Sequence, residues 1–301
     1  MAESLSGHSG SKFNGPPGSV AIVGVGLIGG SLGLALRRTW PHCRILGVDR
    51  PRVLARARAR GAIDAAATLP AAARSELVVL AAPVLAIIRL LDKLGACLGP
   101  TTVVTDAGST KQAVMQAARR RLPRDRFIGG HPLAGRELGG IEAADGGLFR
   151  GAGWALVAPR GSAPALARVR TLVRACGARP LLCTAAQHDR ALARVSQLPQ
   201  LAASALMAQA AAPAALAFAG SGLRDTTRLA ASPYSIWADI LATNRRELER
   251  VVRGLSQDLR RMVRSPAHAR RVFQTAQRGR RRLLDARRGA ARGSNRMRRR
   301  P

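Results

Sequence analysis

Gly24-Val25-Gly26-Leu27-Ile28-Gly29 sets three glycines in a G-x-G-x-x-G spacing directly after the apolar run Ser19 to Gly24. That spacing suits a phosphate cradle. Gly24 permits a tight turn, Gly26 lets the backbone approach a pyrophosphate, and Gly29 lets the following helix pack closely on its strand. The helix N-terminus then offers free N–H groups and the positive end of its dipole. Asp49 ends a second apolar run 20 residues beyond Gly29, where a carboxylate accepts hydrogen bonds from ribose hydroxyls. The same carboxylate repels a 2′-phosphate, which favours NAD. Arg50 and Arg52 lie beside it and could accommodate that phosphate, so NADP stays open. Leu27 and Ile28 in the loop, with Ala82 and Pro83 at the end of the run Glu76 to Pro83, complete the expected cofactor-binding set.

Three more clusters carry polar groups. Asp106-Ala-Gly-Ser-Thr-Lys111 follows an apolar run, and ligands of open α/β sheets bind at strand carboxyl ends, so Ser109 is expected near a reacting centre. Gly129-Gly-His-Pro-Leu-Ala-Gly135 is followed by Glu137. Gly220-Ser-Gly-Leu-Arg-Asp-Thr-Thr-Arg-Leu-Ala230 lies much later, with Trp237 beyond it.

The elements that must position these groups alternate. Buried strands are expected at Ser19 to Gly24, Cys43 to Asp49, Glu76 to Pro83 and Thr102 to Ala107. Helices follow at Gly29 to Arg38, Pro51 to Arg60, Val84 to about Cys97 and Thr110 to Arg121. Shorter strands fit at Arg126 to Gly129, Trp154 to Ala158 and Pro180 to Thr184. After about Gln187 only long Ala/Leu/Arg helices remain. The expected fold is α/β: a Rossmann-type, doubly wound parallel sheet followed by an all-helical domain. The expected divisions are a flexible Ser/Gly/Pro-rich leader over 1–18, the dinucleotide-binding domain over 19–186, the helical domain over 187–263, and an Arg-rich disordered tail over 264–301.

Composition bounds the rest. The 301 residues carry a net charge of +32, and all but three of the 49 cations are arginine. A 47% hydrophobic content excludes wholesale disorder. The charge invites a nucleic-acid reading, but 3% aromatics leaves few stacking platforms. The stretch from Arg264 holds 14 arginines against Asp285 alone, so it is a solvated extension or, as the alternative, a nucleic-acid-binding arm. Cys43, Cys97, Cys176 and Cys183 show no C-x-x-C spacing, so neither a metal site nor a disulfide framework is expected, and free thiols fit a cytoplasmic protein. Leu201 to Ala219 has the length of a membrane span but is mostly alanine and includes Gln209 and Pro213; a packed helix and no membrane contact are expected.

In the order GVGLIGGSLG, DAGSTK, GGHPLAGRELGG, His188-Asp189, SQLPQ at Ser196 to Gln200 and GSGLRDTTRLA, the chain resembles the prephenate/arogenate dehydrogenase family of tyrosine biosynthesis, from about Ser19 to Val263. The resemblance implies NAD-dependent oxidative decarboxylation of prephenate to 4-hydroxyphenylpyruvate. His131 then occupies the position of the catalytic base, and Ser109 hydrogen-bonds His131 and the substrate hydroxyl. Arg228 grips a substrate carboxylate. Glu137, Arg224, Asp225 and Trp237 shape or gate the pocket, some of them from a neighbouring subunit, which implies a homodimer through the helical domain.

Many relatives read S-H-L-P-H where this chain has Ser196-Gln197-Leu198-Pro199-Gln200. Gln200 hydrogen-bonds a substrate side chain without becoming cationic, so arogenate, or both substrates, is the alternative to prephenate. Only 38 residues follow Val263, too few for the ligand-sensing domain of some relatives, which is therefore not expected. The β-hydroxyacid dehydrogenases share the two-domain plan but need a catalytic lysine, and none follows Lys111. A basic nucleic-acid-binding protein is the alternative of a different class.

Overall fold

The computed structural model describes residues 15–136 and 138–297, with side chains to Asp285. Most of the expected leader, and Glu137, lie outside the described residues. The chain separates into two compact units. One holds the residues up to His188 together with Ser235–Thr243; the other holds Asp189–Tyr234 and the residues from Asn244 onward.

The first unit is built on eight strands: β1 (Ser19–Val23), β2 (Arg44–Val48), β3 (Ala65–Ala66), β4 (Leu77–Leu80), β5 (Val103–Asp106), β6 (Phe127–Pro132), β7 (Gly153–Val157) and β8 (Arg179–Leu182). Their order across the sheet is β3-β2-β1-β4-β5-β6-β7-β8. The chain runs outward one way from β1 and the other way from β4, so the carboxyl ends of these neighbours flank the switch point where such sheets bind ligands. The continuous apolar runs follow from burial on both faces. Val20 and Ile22 of β1, with Leu77 and Val79 of β4, join one core cluster. Ala21 and Val23, with Val78 and Leu80, join the other. Each such side chain contributes about 1.5–3 kcal/mol through burial.

Helices α1 (Leu27–Thr39), α2 (Pro51–Ala59), α3 (Leu69–Ala72), α4 (Val84–Gly95), α5 (Gln112–Arg121) and α6 (Ala163–Ala175) accompany the strands. The sheet departs from the all-parallel expectation at one place: β7 runs antiparallel to β6, pairing His131 with Ala155. The described residues of the link from Pro132 to Gly153 form no helix, and the chain returns beside β6 in the opposite sense.

The later residues are helical among those described: α7 (Ala185–Leu192), a π-helical turn at Ala193–Gln197, α8 (Leu198–Ala210), α9 (Pro213–Leu216), α10 (Ser221–Thr227), a 3-10 turn at Arg228–Ala231, α11 (Tyr234–Thr243), α12 (Arg245–Arg264) and α13 (Pro266–Met297). The expected single helix over Leu201 to Ala219 is broken at Ala211–Ala212, where Pro213 opens a new turn. No helix among the described residues is long and apolar enough to cross a membrane. The tail expected to be disordered carries α13, since Ala, Arg, Gln and Leu are good helix formers, although its described side chains are mostly exposed. The helices do not all group together, because residues Ser235–Thr243 of α11 belong with the sheet.

Candidate active site

The glycine cradle has the geometry its spacing demands. Gly24 has φ +92°, and a Cβ there would stand 2.5 Å from the Ala81 carbonyl oxygen at the end of β4. At Gly29 a Cβ would lie 1.9 Å from the Gly24 carbonyl oxygen, so α1 packs on β1 only because that position is bare. Gly26 is different: a Cβ would meet nothing within 4 Å. That open ground faces the start of α1, as a pyrophosphate seat requires. Asp49 closes the cradle by accepting from Val25 N at 2.7 Å and from Arg50 N at 2.7 Å. Leu27 and Ile28 are partly buried in the first turn of α1, while Ala82 and Pro83 lead into α4. Arg50 is exposed, with its Nε 3.9 Å from Asp49. The chemistry and shape of this donor set fit a dinucleotide.

The motif after β5 is an anchor as much as a reacting cluster. Asp106 and Lys111 are both fully buried and ion-paired with each other. Asp106 Oδ2 also accepts from Gly108 N at 2.8 Å, and its Oδ1 accepts from Gly130 N at 2.9 Å. One carboxylate thus ties the β5 turn to β6 just before His131. Thr110 is held by Thr243 of α11 at 2.8 Å. On the same helix, Asp239 accepts from Leu85 N at 2.9 Å and so caps α4 beside Ala82 and Pro83. Ser109 sits partly buried in this turn.

His131 is partly buried near the carboxyl end of β6. Its Nδ1 lies 2.9 Å from Nε2 of His188 on α7, and the two rings meet at 67°. Burial, the neighbouring His188 and Lys111 push its pKa well below 6.5. The imidazole is therefore neutral at pH 7.

In the second unit, Gln200 is buried on α8. Its Nε2 donates to the Leu229 carbonyl at 2.9 Å and to Ser204 Oγ at 3.1 Å, which fixes the turn that carries Arg228. Arg228 is exposed at the head of that turn, one residue beyond α10, and Arg224 and Asp225 are exposed on α10 itself. Asn244, at the start of α12, donates to Gln197 Oε1 at 2.8 Å and to the Asp189 carbonyl at 3.0 Å.

A family model described as prephenate dehydrogenase, nucleotide-binding domain, matches residues 32–182, and one described as prephenate dehydrogenase, dimerization domain, matches residues 184–270. The chain belongs to the prephenate dehydrogenase family. A curated prephenate dehydrogenase of Lactococcus lactis is 32% identical over 234 residues, which cover 75% of this chain and 64% of that protein. The chain thus spans somewhat less than two thirds of that relative's length. Among solved structures, prephenate dehydrogenase from A. aeolicus in complex with hydroxyphenyl propionate and NAD+ superposes with TM-score 0.77 at 29% identity, covering 82% of this chain and 89% of that one. Synechocystis arogenate dehydrogenase superposes with TM-score 0.74 at 32% identity, covering 85% and 97%.

Within this family member, the sheet unit brings together the cradle, Ser109, His131 and Trp237, which is partly buried on α11. The other unit holds Gln200, Arg224, Asp225 and Arg228. The ring contact that His131 makes is with His188. Nothing in the spacing of residues 131 and 188 signals that contact. The motifs also assign no role to the Asp106–Lys111 pair, although two opposite charges inside an apolar strand-end motif are a usable sign.

Proposed function

We propose that the chain catalyses the NAD-dependent oxidative decarboxylation of prephenate to 4-hydroxyphenylpyruvate, releasing carbon dioxide. The observation that carries this reading is the neutral His131 at a strand carboxyl end, backed by His188. A base that abstracts a hydroxyl proton near pH 7 must be unprotonated and held in place, and both conditions are met. With Nδ1–H donated to His188, His131 Nε2 is left to take the proton from the ring C4 hydroxyl. That carbon becomes a carbonyl carbon as its hydride departs, and loss of the ring carboxylate as carbon dioxide completes aromatisation. Ser109, in the Asp106-anchored turn, orients the hydroxyl. Arg228 offers a bidentate fork to a substrate carboxylate, and Glu137, Arg224, Asp225 and Trp237 shape the pocket.

NAD+ supplies the hydride acceptor when bound. Gly24, Gly26, Leu27, Ile28 and Gly29 hold its pyrophosphate, Ala82 and Pro83 flank it, and Asp49 receives the ribose hydroxyls. Asp49 supports NAD over NADP, with Arg50 the residue that NADP would need. The dinucleotide-binding domain is taken as 19–186 and the helical substrate and dimerisation domain as 187–263, in a cytoplasmic homodimer. Exposed Val252, Leu259 and Val263 on α12 support a self-association face.

Arogenate is a second reading with its own support. The Gln200 amide nitrogen is already committed to Leu229 and Ser204, so the group it has left to offer is the acceptor Oε1. An acceptor suits the ammonium of arogenate better than the keto oxygen of prephenate. The test is NADH or NADPH formation, followed by absorbance, with each substrate paired with NAD+ and NADP+. Turnover of prephenate with NAD+ is expected; no turnover of either substrate overturns the reading.

A further inference from the structure

A second concavity lies in the sheet unit, away from the glycine cradle. It is a cleft of about 380 Å³ between the end of α5, the amino end of β6, the carboxyl ends of β7 and β8 and the start of α7. Leu122, Phe127 and Val157 give it an apolar floor, each less than a tenth exposed. Arg119, Arg124 and Arg160 stand around its rim, and no carboxylate lines it. Many arginines of this unit have acidic partners: Arg37 pairs with Asp64, Arg56 with Glu142, Arg121 with Asp92, Arg136 with Asp145 and Arg168 with Glu76. Among the described residues the three rim arginines have no such partner. Ala185 at the start of α7 also lines the cleft, so a helix N-terminus adds positive potential from the far wall.

An apolar floor under a cationic rim selects one ligand chemistry. A hydrated inorganic anion gains nothing from Phe127 and Val157, and a neutral hydrocarbon leaves the guanidinium groups unused. We propose that this cleft binds a small amphipathic carboxylate, with its apolar body on Leu122, Phe127 and Val157 and its carboxylate among Arg119, Arg124 and Arg160. The site is separate from the dinucleotide cradle and does not depend on the dehydrogenase reading. Its occupant would lie one helical turn from His188, against the helix that holds the partner of His131.

Cys183 provides a local reporter because its thiol lines the cleft and is partly exposed. Cys97, also partly exposed but outside the cleft, is the internal control. Burial, chiefly, pushes the thiols of Cys43 and Cys176 up to about 11 and about 12, so they stay unreactive. The experiment follows N-ethylmaleimide alkylation of each cysteine by mass spectrometry, with 3-phenylpropionate, 3-phenylpropanol or inorganic phosphate as probe. The carboxylate should slow labelling of Cys183 by a factor of 1 + [L]/Kd, about threefold at twice Kd, and leave Cys97 unchanged. The alcohol and phosphate should protect far less, and a triple variant Arg119→Gln/Arg124→Gln/Arg160→Gln should abolish protection. Ala158→Cys puts a second thiol on another wall, so slow intrinsic labelling of Cys183 does not stall the test. Absence of protection at both thiols, equal protection by the alcohol, or protection that persists in the triple variant each overturns the proposal. Binding of the probe at the substrate site would leave Cys183 unprotected and so counts against the cleft.

Discussion

His131 and His188 meet edge to face, with Nδ1 of one 2.9 Å from Nε2 of the other, across 57 residues of sequence. Two imidazoles at that distance share one proton, which lies on one side or the other. If His131 is the donor, its Nε2 keeps a lone pair for the substrate, and the contact holds the ring in that orientation. The contact thus orients His131 as a carboxylate orients histidine in other acid–base sites, but it lowers the basicity of the ring where a carboxylate would raise it.

His131→Asn keeps a side chain of similar polarity but removes the base. We expect kcat to fall by roughly 10²–10⁴, with NAD affinity largely unchanged because the cradle is built by other residues. Steady-state kinetics and cofactor titration check both halves. An unaltered kcat would remove His131 from the chemical step.

The acid limb of the pH profile tests the electrostatics. A base works only when unprotonated, and His131 is held well below 6.5, so activity should persist on acidification past pH 6.5 and fail only beneath it. His188 contributes to that depression, so His188→Asn should move the midpoint of kcat/KM upward, toward 6.5. A midpoint that stays in place, or shifts downward, contradicts this account of the pair.

Asp106→Asn should cost stability more than chemistry. The carboxylate is fully buried, pairs with the fully buried Lys111 and accepts two backbone N–H groups. An amide at this position removes the negative charge that Asp106 offers the ammonium and turns one acceptor into a donor facing other donors. Loss of one partner of a buried pair costs about 3–5 kcal/mol, visible as a lower urea midpoint. A change under about 1 kcal/mol would mean that the pair relaxes into solvent.

Arg228→Gln should act on binding. A side chain that grips the same carboxylate in ground and transition states changes KM with little effect on kcat. A large fall in kcat at unchanged KM would instead place Arg228 at the reacting centre.

Much of this was legible in the sequence wherever the demand is local. The glycine positions follow from backbone clearance, and the runs in β1 and β4 follow from burial on both faces. What stayed hidden depends on contacts far apart in the chain. No periodicity says that β7 turns back antiparallel to β6, since direction is set by the connection and not by the strand. The grouping of α11 with the sheet rests on Asp239 capping α4 and Thr243 holding Thr110, two single hydrogen bonds without a pattern. The motif order singles out His131, Ser109 and Arg228, but nothing in it signals the His131–His188 contact, which is made by a residue at the far end of the unit.

The cradle glycines separate folding from cofactor binding. Gly29→Ala drives a methyl to 1.9 Å from the Gly24 carbonyl oxygen and 2.9 Å from Ile22, so α1 must lift from β1. Overpacking of this kind costs about 1–3 kcal/mol or more, and it should lower stability and NAD affinity together. Gly26→Ala meets nothing within 4 Å in the protein, so stability should stay within about 0.5–1 kcal/mol, the ordinary range for a surface Gly→Ala change. Its methyl group instead occupies the ground where a pyrophosphate must approach the backbone, so NAD affinity should fall by tenfold or more, about 1.4 kcal/mol. Thermal denaturation and NAD titration on the two variants resolve the pattern. Undiminished NAD binding by Gly26→Ala would mean that the dinucleotide does not lie over this glycine.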